Sequence, residues 1–323
     1  IVNGANDTTI VTITSAAAHA DSVVFEGGPA LTLNNSAYLA FSNVTFDART
    51  GGYAVAIIGN TDNVEISHCN IFADPIGTAS TTSGIYKSSS SGSSNNIRII
   101  GNQINGGFYG VYLYGSSSDY VQNVILDSNI ITNQYYYGVY YYYVNSISTS
   151  YNTVTPRSVN QGTTWYGMRL FQNKNGGNII GNKIHANNAA ITSGIYGLYT
   201  YYIDSALVAN NEIYLNSTAS NTYGIYIDYP KGSKFLHNSV LITGPSATAR
   251  ALYWYVYSSD SYDATVMNNL FITNTSGSTP YAVYLAGTYS SAYAYNYRID
   301  YNNYYSTGNM GYVGSAQANL ANW

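Results

Sequence analysis

An asparagine recurs at nearly regular intervals along this chain, always within the same short pattern. The pattern is an apolar or small residue, any residue, an apolar residue, two residues of any type, Asn, any residue and an apolar residue; 97–104 contains Asn102 and 124–131 contains Asn129. It recurs at 147–154, 177–184, 206–213, 233–240, 264–271 and 297–304, and with Cys69 or Val44 in place of Asn at 64–71 and 39–46. From residue 44 to residue 302, this Asn slot returns about every 29 residues. Repeats of that length with strand-like content predict a solenoid.

Each repeat contains a second element, a small residue followed by an apolar residue and usually Tyr, as in Gly110-Val111-Tyr112. Successive residues of a strand face opposite sides, so Val111 and Tyr112 are expected on opposite faces. No segment shows a helical period with caps. Short strands and one glycine-marked bend per repeat predict an all-β fold, a right-handed parallel β-helix of about ten coils that forms a single domain over 1–323.

Equivalent positions of successive coils in such a fold stack about 4.8 Å apart. The apolar positions would fill the interior, and the Asn slot would form a ladder in which each side-chain amide bonds the next. A buried Asn is tolerated only when its donors and acceptors are satisfied, and the neighbouring coils can do this. Val44 and Cys69 are expected to end the ladder towards the N terminus, and Cys69, the one cysteine, is interpreted as a buried structural residue.

Composition narrows the possible functions. Charged residues make up only 8% of the chain, whereas 38 of its 323 residues are tyrosine. Disordered segments have the opposite composition, rich in charge and poor in aromatic residues. The 11 scattered Lys and Arg residues and the net charge of −4 do not provide the basic stripe that nucleic-acid binding requires. No apolar run reaches the length of about 18 residues that a membrane span needs.

Both ends of the repeat region resemble a known group of proteins. The stretches that carry the resemblance are 22–25, 30–33, 37–46, 299–305 and 320–323. They are similar to the first and last coils of right-handed parallel β-helix modules in secreted cell-surface and adhesin-type proteins of Bacteroidota. The resemblance implies secretion to the bacterial cell surface, by the route that uses a C-terminal sorting domain. It also implies that the chain is one module of a longer, multi-domain protein.

Acidic residues decide whether a β-helix of this kind can cleave polysaccharides, because lyases and hydrolases need clustered carboxylates. Asn60-Thr61-Asp62 matches the first motif of the β-helix pectin hydrolases, but the remaining motifs of that family do not follow it. The acids with lysines nearby are Asp204, Asp228, Asp260 and Asp263, with Lys231 and Lys234. Asp204, Asp228 and Lys231 form the best candidate catalytic cluster. The favoured interpretation is that they are turn acids and an exposed lysine, and that the chain has no catalytic residues.

No cofactor is expected either. The four histidines lack the spacing of metal ligands, so the sequence predicts no metal site. Phosphate-binding loops, dinucleotide fingerprints and nucleophile elbows are also missing from the sequence.

Tyrosines occupy the outward positions of the second strand in most repeats. The series reads Tyr86, Tyr112, Tyr140, Arg169, Tyr199, Tyr226, Tyr253 and Tyr284. The connection from the Asn slot to this strand is 8 or 9 residues long in two adjacent repeats, against 13 to 15 in the others. That difference predicts a shallow notch lined by Tyr109, Tyr112, Tyr114, 135–137 and 140–143. The predicted ligand-binding residues are Tyr109, Tyr112, Tyr114, Tyr137, Tyr140 and Tyr142.

Two interpretations of the tyrosine rows stay open. Stacked rings stiffen a rod without charges, and this structural role is favoured for any single ring. A wide aromatic surface is nevertheless larger than a monomer normally leaves without a partner, and both glycans and cell-surface proteins bind such rings. The sequence therefore predicts a non-catalytic surface module, adhesive or a spacer. The alternatives are a polysaccharide lyase or glycoside hydrolase with an unfamiliar site, and a contact module for a filament, neighbouring modules or a secretion machine.

Overall fold

The computed structural model describes residues 9–90, 92–159, 161–174, 176–256, 264–287, 297–319 and 321. The chain forms two compact units, unit 1 (Ile1–Asn160) and unit 2 (Gln161–Trp323). Among the described residues, the regular structure consists of β-strands and one 3₁₀ turn (Ala20–Ser22). This confirms the predicted all-β parallel solenoid of about ten coils. Within the same ranges, no helix has the length and apolar character needed to cross a membrane.

The strands of unit 1 follow one another in a regular three-strand cycle. In chain order they are β1 (Val11–Thr14), β2 (Val24–Glu26), β3 (Leu31–Asn34), β4 (Ala37–Ser42), β5 (Thr45–Ala48), β6 (Tyr53–Ile58), β7 (Thr61–Ser67), β8 (Asn70–Ala73), β9 (Ser83–Lys87), β10 (Ser94–Ile100), β11 (Gln103–Asn105), β12 (Tyr109–Tyr114), β13 (Val121–Asp127), β14 (Ile130–Gln134), β15 (Tyr137–Tyr142), β16 (Val144–Ser150) and β17 (Thr153–Pro156). Sheet A orders β1-β4-β7-β10-β13-β16, sheet B β2-β5-β8-β11-β14-β17 and sheet C β3-β6-β9-β12-β15. Each coil therefore contributes one strand to each sheet.

Unit 2 repeats the same cycle. Its strands are β18 (Thr164–Asn173), β19 (Gly177–Ile180), β20 (Lys183–Asn187), β21 (Gly194–Ile203), β22 (Ala206–Ala209), β23 (Glu212–Asn216), β24 (Asn221–Asp228), β25 (Lys234–Leu236), β26 (Ser239–Gly244), β27 (Thr248–Val256), β28 (Ala264–Met267), β29 (Leu270–Thr275), β30 (Thr279–Gly287), β31 (Tyr297–Asp300), β32 (Asn303–Ser306), β33 (Asn309–Val313) and β34 (Ser315–Gln317). Sheet A contains β19-β22-β25-β28-β31, sheet B β20-β23-β26-β29-β32 and sheet C β18-β21-β24-β27-β30-β33-β34. The pair β33 and β34 is antiparallel, whereas neighbouring strands such as β18 and β21, β21 and β24, and β24 and β27 pair in parallel.

The Asn slot lies at the corner between sheets A and B and forms the predicted ladder. In unit 1, the Asn102 N–H donates to Oδ1 of Asn129 at 2.9 Å, and the Asn129 N–H donates to Oδ1 of Asn152 at 3.0 Å. In unit 2, Asn211 and Asn238 make the same contact at 3.1 Å. The Oδ1 atom of each of these slot residues therefore accepts a hydrogen bond from the backbone N–H of the slot residue in the preceding coil. At this corner between two strands, that N–H has the side chain as its partner.

A residue with left-handed backbone conformation precedes the Asn slot in each repeat. Its φ is +66° at Gly101, +60° at Ser128 and +55° at Asn210. The same conformation occurs at Asn43, His68, Tyr151, Gly181, His237, Asn268 and Tyr301. Left-handed residues reverse the local course of a strand, which explains how the chain turns from sheet A into sheet B within two residues.

Cys69 ends the ladder on its N-terminal side, as predicted. The side chain is buried, and its N–H donates to Oδ1 of Asn102 at 2.9 Å. The thiol Sγ lies 3.3 Å from the carbonyl oxygen of Ser67 and 3.6 Å from that of Phe41. Burial raises the pKa of Cys69 to about 11, so this thiol stays protonated at neutral pH and has a structural role.

Candidate functional site

The outward side of sheet C carries the rows of aromatic residues, and we call this surface the tyrosine face. In unit 1, Tyr86, Tyr112 and Tyr140 occupy aligned positions of β9, β12 and β15. Their ring centres are 4.9 and 5.1 Å apart, and their planes are within 10° of parallel. The Tyr53 ring stacks on Tyr86 with a centre distance of 4.0 Å. The result is a continuous stack of four rings.

A second row runs beside this stack in unit 1. Tyr109 and Tyr137 are aligned, with ring centres 5.4 Å apart and planes 12° from parallel. Tyr114 and Tyr142 form a third aligned pair, in which the rings meet at 66° and 4.9 Å. The Tyr114 ring is nearly perpendicular to that of Tyr112, at 86°. Parallel stacking in the first two rows leaves ring edges and hydroxyl groups as the accessible parts of those rings, whereas the rings of the third pair are not parallel.

The structure places all six predicted ligand-binding residues on the tyrosine face of unit 1. Five of them are partly exposed, and Tyr137 is 7% exposed. The sequence-based notch also included Tyr141, and this assignment is wrong. Tyr141 is aligned with Leu113 and is 1% exposed, so its ring lies in the interior. Strand alternation requires this, because Tyr140 and Tyr142 on either side of it point outward.

The tyrosine face of unit 2 contains a longer stack. Tyr199, Tyr226, Tyr253, Tyr284 and Tyr312 occupy aligned positions of β21, β24, β27, β30 and β33. Successive ring centres are 4.3, 4.4, 5.6 and 4.3 Å apart. The planes are nearly parallel in the last two pairs and tilted in the first two.

A parallel row in unit 2 replaces one ring by a cation. It consists of Tyr166, Tyr196, Tyr223, Arg250 and Tyr281 in aligned positions. The first three rings stack with centre distances of 4.4 and 4.8 Å. The next residue, Arg250, continues the row, and its Nη1 donates to the Tyr223 hydroxyl at 2.9 Å.

Burial within these rows changes the acidity of the phenols. It raises the pKa of Tyr53, Tyr109 and Tyr142 to about 12. Burial also raises the pKa of Tyr196 and Tyr226 above the ordinary value. Because an ionised phenolate would lose solvation and repel its neighbours, the hydroxyl groups of these five tyrosines stay protonated and can both donate and accept hydrogen bonds.

Alkaline pH should therefore destabilise the protein in a defined range. Above pH 10 the unfolded chain ionises Tyr53, Tyr109 and Tyr142, while the folded chain holds their protons. The free energy of unfolding therefore keeps its full value below pH 10 and falls as the pH rises towards about 12. We expect about 1 kcal/mol per affected ring, after allowing for their partial access to solvent. Urea unfolding between pH 8 and pH 12, with tyrosinate absorbance recorded in parallel, measures this; a flat stability profile and a folded-state midpoint near 10 would contradict it.

Arg157 lies across the region where the notch was predicted. The connections 106–108 and 135–136 are short, whereas 74–82 is long. Arg157 is 1% exposed, and its Nη2 donates to the carbonyl oxygens of Gly77 at 3.1 Å and Gly107 at 3.2 Å. Its Cζ lies 5.2 Å from the centre of the Tyr135 ring. The side chain thus ties the long connection to the short ones, a role that the sequence did not indicate.

Two carboxylates are aligned on sheet B, those of Glu26 in β2 and Asp47 in β5, and Arg49 forms an ion pair with Asp47. The acids of the predicted cluster lie elsewhere. Asp228 is aligned with Tyr201 and is 5% exposed. Asp204 follows Tyr201 by three residues, beyond a left-handed residue at Tyr202. Burial raises the pKa of Asp204, and the charge of Lys231 opposes this, so these two groups are within electrostatic reach of each other.

The other acidic candidates have structural positions or lie outside the described residues. Oδ1 of Asp62 accepts the Asn95 N–H and side-chain amide, both at 2.8 Å, so Asp62 joins two coils. Lys234 is an exposed residue of β25 in sheet A. Asp260 and Asp263 lie outside the described residues. Within the described part of the chain, no three His, Cys, Asp or Glu side chains come together as a metal site would require.

Comparison with known proteins extends these observations. Residues 83–254 match the protein family described as a right handed beta helix region. No curated protein matches the chain. Among solved structures, the Dettilon tailspike protein is similar to 90% of this chain at 12% identity, with a TM-score of 0.42, and the chain spans 60% of that protein's length. Since the family match covers more than half of the 323 residues and the described strands form a parallel solenoid, this chain belongs to the right-handed β-helix family.

Proposed function

We propose that this protein is a non-catalytic polysaccharide-binding module and that the tyrosine face of unit 1 is its binding surface. Display on a bacterial cell surface, which the sequence resemblance implies, is part of this proposal. The observation that carries it is the set of aligned, partly exposed tyrosine rows on β9, β12 and β15.

The chemistry of this face suits sugars. Tyrosine combines an apolar ring with a hydroxyl group, and a sugar presents both apolar C–H groups and hydroxyl groups. The stacked rings of Tyr86, Tyr112 and Tyr140 direct edges and hydroxyls outward, which favours hydrogen bonds to a ligand. The rings of Tyr114 and Tyr142 are inclined to each other, and Tyr114 is nearly perpendicular to Tyr112. A sugar can therefore contact a ring face in this row.

The regular spacing favours a polymer over a globular protein partner. Rings in equivalent positions recur in the three consecutive strands β9, β12 and β15, with centre distances of 4.9 and 5.1 Å in the first row. A repeating surface presents the same contact many times, and a repeating ligand can use several of these contacts at once, which raises its avidity. Protein interfaces instead depend on a few non-equivalent anchor residues.

The position of the acids supports binding without cleavage. Hydrolysis by retaining or inverting enzymes needs two carboxyl groups on either side of the scissile bond. Asp228 is 5% exposed. Asp204 follows the end of β21, beyond the left-handed residue Tyr202.

The double variant Tyr112→Ala, Tyr140→Ala tests the proposal. We expect the full chain to bind polysaccharides on a glycan array, and we expect this variant to lose affinity by about tenfold or more, since two adjacent anchors are removed. Tyr151→Ala is the matched control, because Tyr151 is 64% exposed and lies at the corner that follows β16, outside sheet C. Far-UV circular dichroism checks that each variant is folded.

Replacement of Tyr112 by Phe separates the two parts of the side chain. A loss with Phe assigns the contact to the hydroxyl group, and a loss only with Ala assigns it to the ring. Unchanged binding by the folded double variant would contradict the proposal. Self-association of the wild type that the double variant abolishes, without any glycan signal, would instead identify the face as a lateral protein contact.

A further inference from the structure

The two units differ in charge. Unit 2 contains seven of the eleven Lys and Arg residues but only six of the fifteen Asp and Glu residues, so its formal net charge is +1. Unit 1 contains four basic and nine acidic residues, and its formal net charge is −5. In a chain with so few charges, this asymmetry directs attention to where the cations of unit 2 lie.

Arg250 belongs to the tyrosine face of unit 2. Its Cζ lies 4.1 Å from the centre of the Tyr284 ring and 5.3 Å from that of Tyr253. Its hydrogen bond to the hydroxyl of Tyr223 is to a neutral group, and no carboxylate of the described residues forms an ion pair with it. The rings hold the guanidinium in a fixed position without neutralising its charge.

Arg169 provides a second cation on the same face. It is aligned with Tyr199, in the row beside the one that holds Arg250. Its Cζ lies 4.2 Å from the centre of the Phe171 ring and 5.5 Å from that of Tyr199. β18 and β27, which carry the two arginines, are three strands apart in sheet C. At about 4.8 Å for each step, the arginines are therefore separated by about 14 Å along the coil stack.

The acid on this face is not at its surface. Asp228 is aligned with Tyr201 and Tyr255 and is 5% exposed, whereas Arg169 and Arg250 are partly exposed. Asp228 and Arg169 both act electrostatically on Tyr199, so the carboxylate lies near the Arg169 end of this face. A ligand that approaches the face of unit 2 therefore meets Arg250 as the main cation, framed by aromatic rings, with Arg169 farther along the coil stack. The guanidinium group forms paired hydrogen bonds with anionic groups such as carboxylates and sulfates. A neutral sugar carries no such group.

We propose that the tyrosine face of unit 2 is a second binding site, selective for polysaccharides that carry anionic groups, and that Arg250 and Arg169 pair with those groups. The inference rests on the proposed function, because the ligand is again a polysaccharide. The site is a different one, on unit 2 instead of unit 1, and it depends on arginines. Repeated anions along one polymer chain can reach both arginines, so the two contacts reinforce each other.

Dextrans that share one backbone provide the probes: plain dextran, carboxymethyl-dextran and dextran sulfate. With the full chain in affinity electrophoresis, we expect at least one anionic dextran to bind about tenfold more tightly than plain dextran, with an advantage that falls as salt is added. Arg250→Gln should remove most of this advantage and leave binding to plain dextran unchanged, and Arg169→Gln should act in the same direction. The preferred anionic dextran identifies the group as carboxylate or sulfate.

Lys234→Gln is the charge-matched control, because Lys234 is an exposed cation of unit 2 on sheet A. The inference is overturned if Lys234→Gln and Arg250→Gln reduce anionic binding equally, since attraction would then be general, or if no anionic dextran binds better than plain dextran. The Tyr112→Ala, Tyr140→Ala variant should keep the anionic preference. Failure of the wild type to bind any polysaccharide would overturn both proposals, whereas binding to neutral glycans that depends on Tyr112 but never on Arg250 would overturn only this one.

Discussion

Replacement of Asn129 by Ala should lower the free energy of unfolding by about 3 to 5 kcal/mol. Asn129 is fully buried, and its Oδ1 accepts the Asn102 N–H at 2.9 Å. Its Nδ2 donates to the Ile99 carbonyl at 2.9 Å and to Oδ1 of Asn152 at 3.0 Å. The shorter side chain would leave the Asn102 N–H and the Ile99 carbonyl group buried without these partners. Urea unfolding monitored by circular dichroism measures the loss.

Asn105→Ala is the matched control for the ladder. The Asn105 side chain also bonds across coils, with Nδ2 donating to Oγ1 of Thr132 at 3.1 Å, but it is partly exposed. Water can replace this contact, so we expect a loss below about 1 kcal/mol. Equal losses for the two variants would mean that the buried position of the ladder adds nothing, which would contradict our account of the Asn slot.

The fold could be predicted because its determinants repeat. The Asn slot and the apolar positions around it recur with the same spacing, and the structure stacks Ile66, Ile99 and Leu126 in register inside unit 1. The left-handed corner before the slot also recurs, but its sequence signal is weak. Glycine and asparagine are common there, whereas Ser128 and Tyr151 are not typical of that conformation. The tertiary hydrogen bonds of the next residue impose the corner on whichever residue is present.

The tyrosine face could be predicted in outline for the same reason, since alternation along a strand assigns each side chain to a face. Contacts between residues far apart in the sequence could not. Arg157 bonds the carbonyl of Gly77, which lies 80 residues earlier, and no local pattern marks such a partner. Lys87 is a comparable case: it is aligned with Ile57 and Leu113 inside the solenoid, and its Nζ donates to the Gly92 carbonyl at 2.8 Å.

Arg157 and Lys87 are both buried, so two of the few basic residues of the chain have a structural role. The carbonyl groups of irregular connections need hydrogen-bond donors, and Arg157 and Lys87 donate to carbonyl groups of such connections in unit 1. Long side chains with several donors can satisfy two carbonyls at once. Unit 1 uses two of its four basic residues in this way, so its outer surface carries little positive charge.

Replacement of Gly110 by Ala should destabilise the protein by about 3 kcal/mol. Gly110 lies at the start of β12, and a Cβ atom there would come within 2.6 Å of the carbonyl oxygen of Gly138 and 2.5 Å of Cγ2 of Ile131. The first of these is backbone of the next coil, so it can move only if the coils separate. Because Tyr109 and Tyr112 flank this position, separation would also disturb the tyrosine face. Thermal unfolding, with near-UV circular dichroism for the tyrosine environment, measures both effects.

Gly194→Ala is the matched control for Gly110→Ala. It separates the effect of the steric contact in the folded chain from the effect of alanine on the entropy of the unfolded chain. Gly194 is also buried in sheet C with an ordinary φ, but the nearest atom to an added Cβ would be Cε2 of Tyr196 at 3.2 Å, the end of a side chain. Alanine restricts the unfolded chain more than glycine does, so this variant should be neutral or stabilised by up to about 1 kcal/mol. Ala251 and Ala282 hold the position of Gly110 in β27 and β30, so strand type alone does not exclude a methyl group. We therefore expect Gly110→Ala to be clearly destabilised and Gly194→Ala not to be. Equal destabilisation of the two variants would contradict the argument from the approach of neighbouring coils.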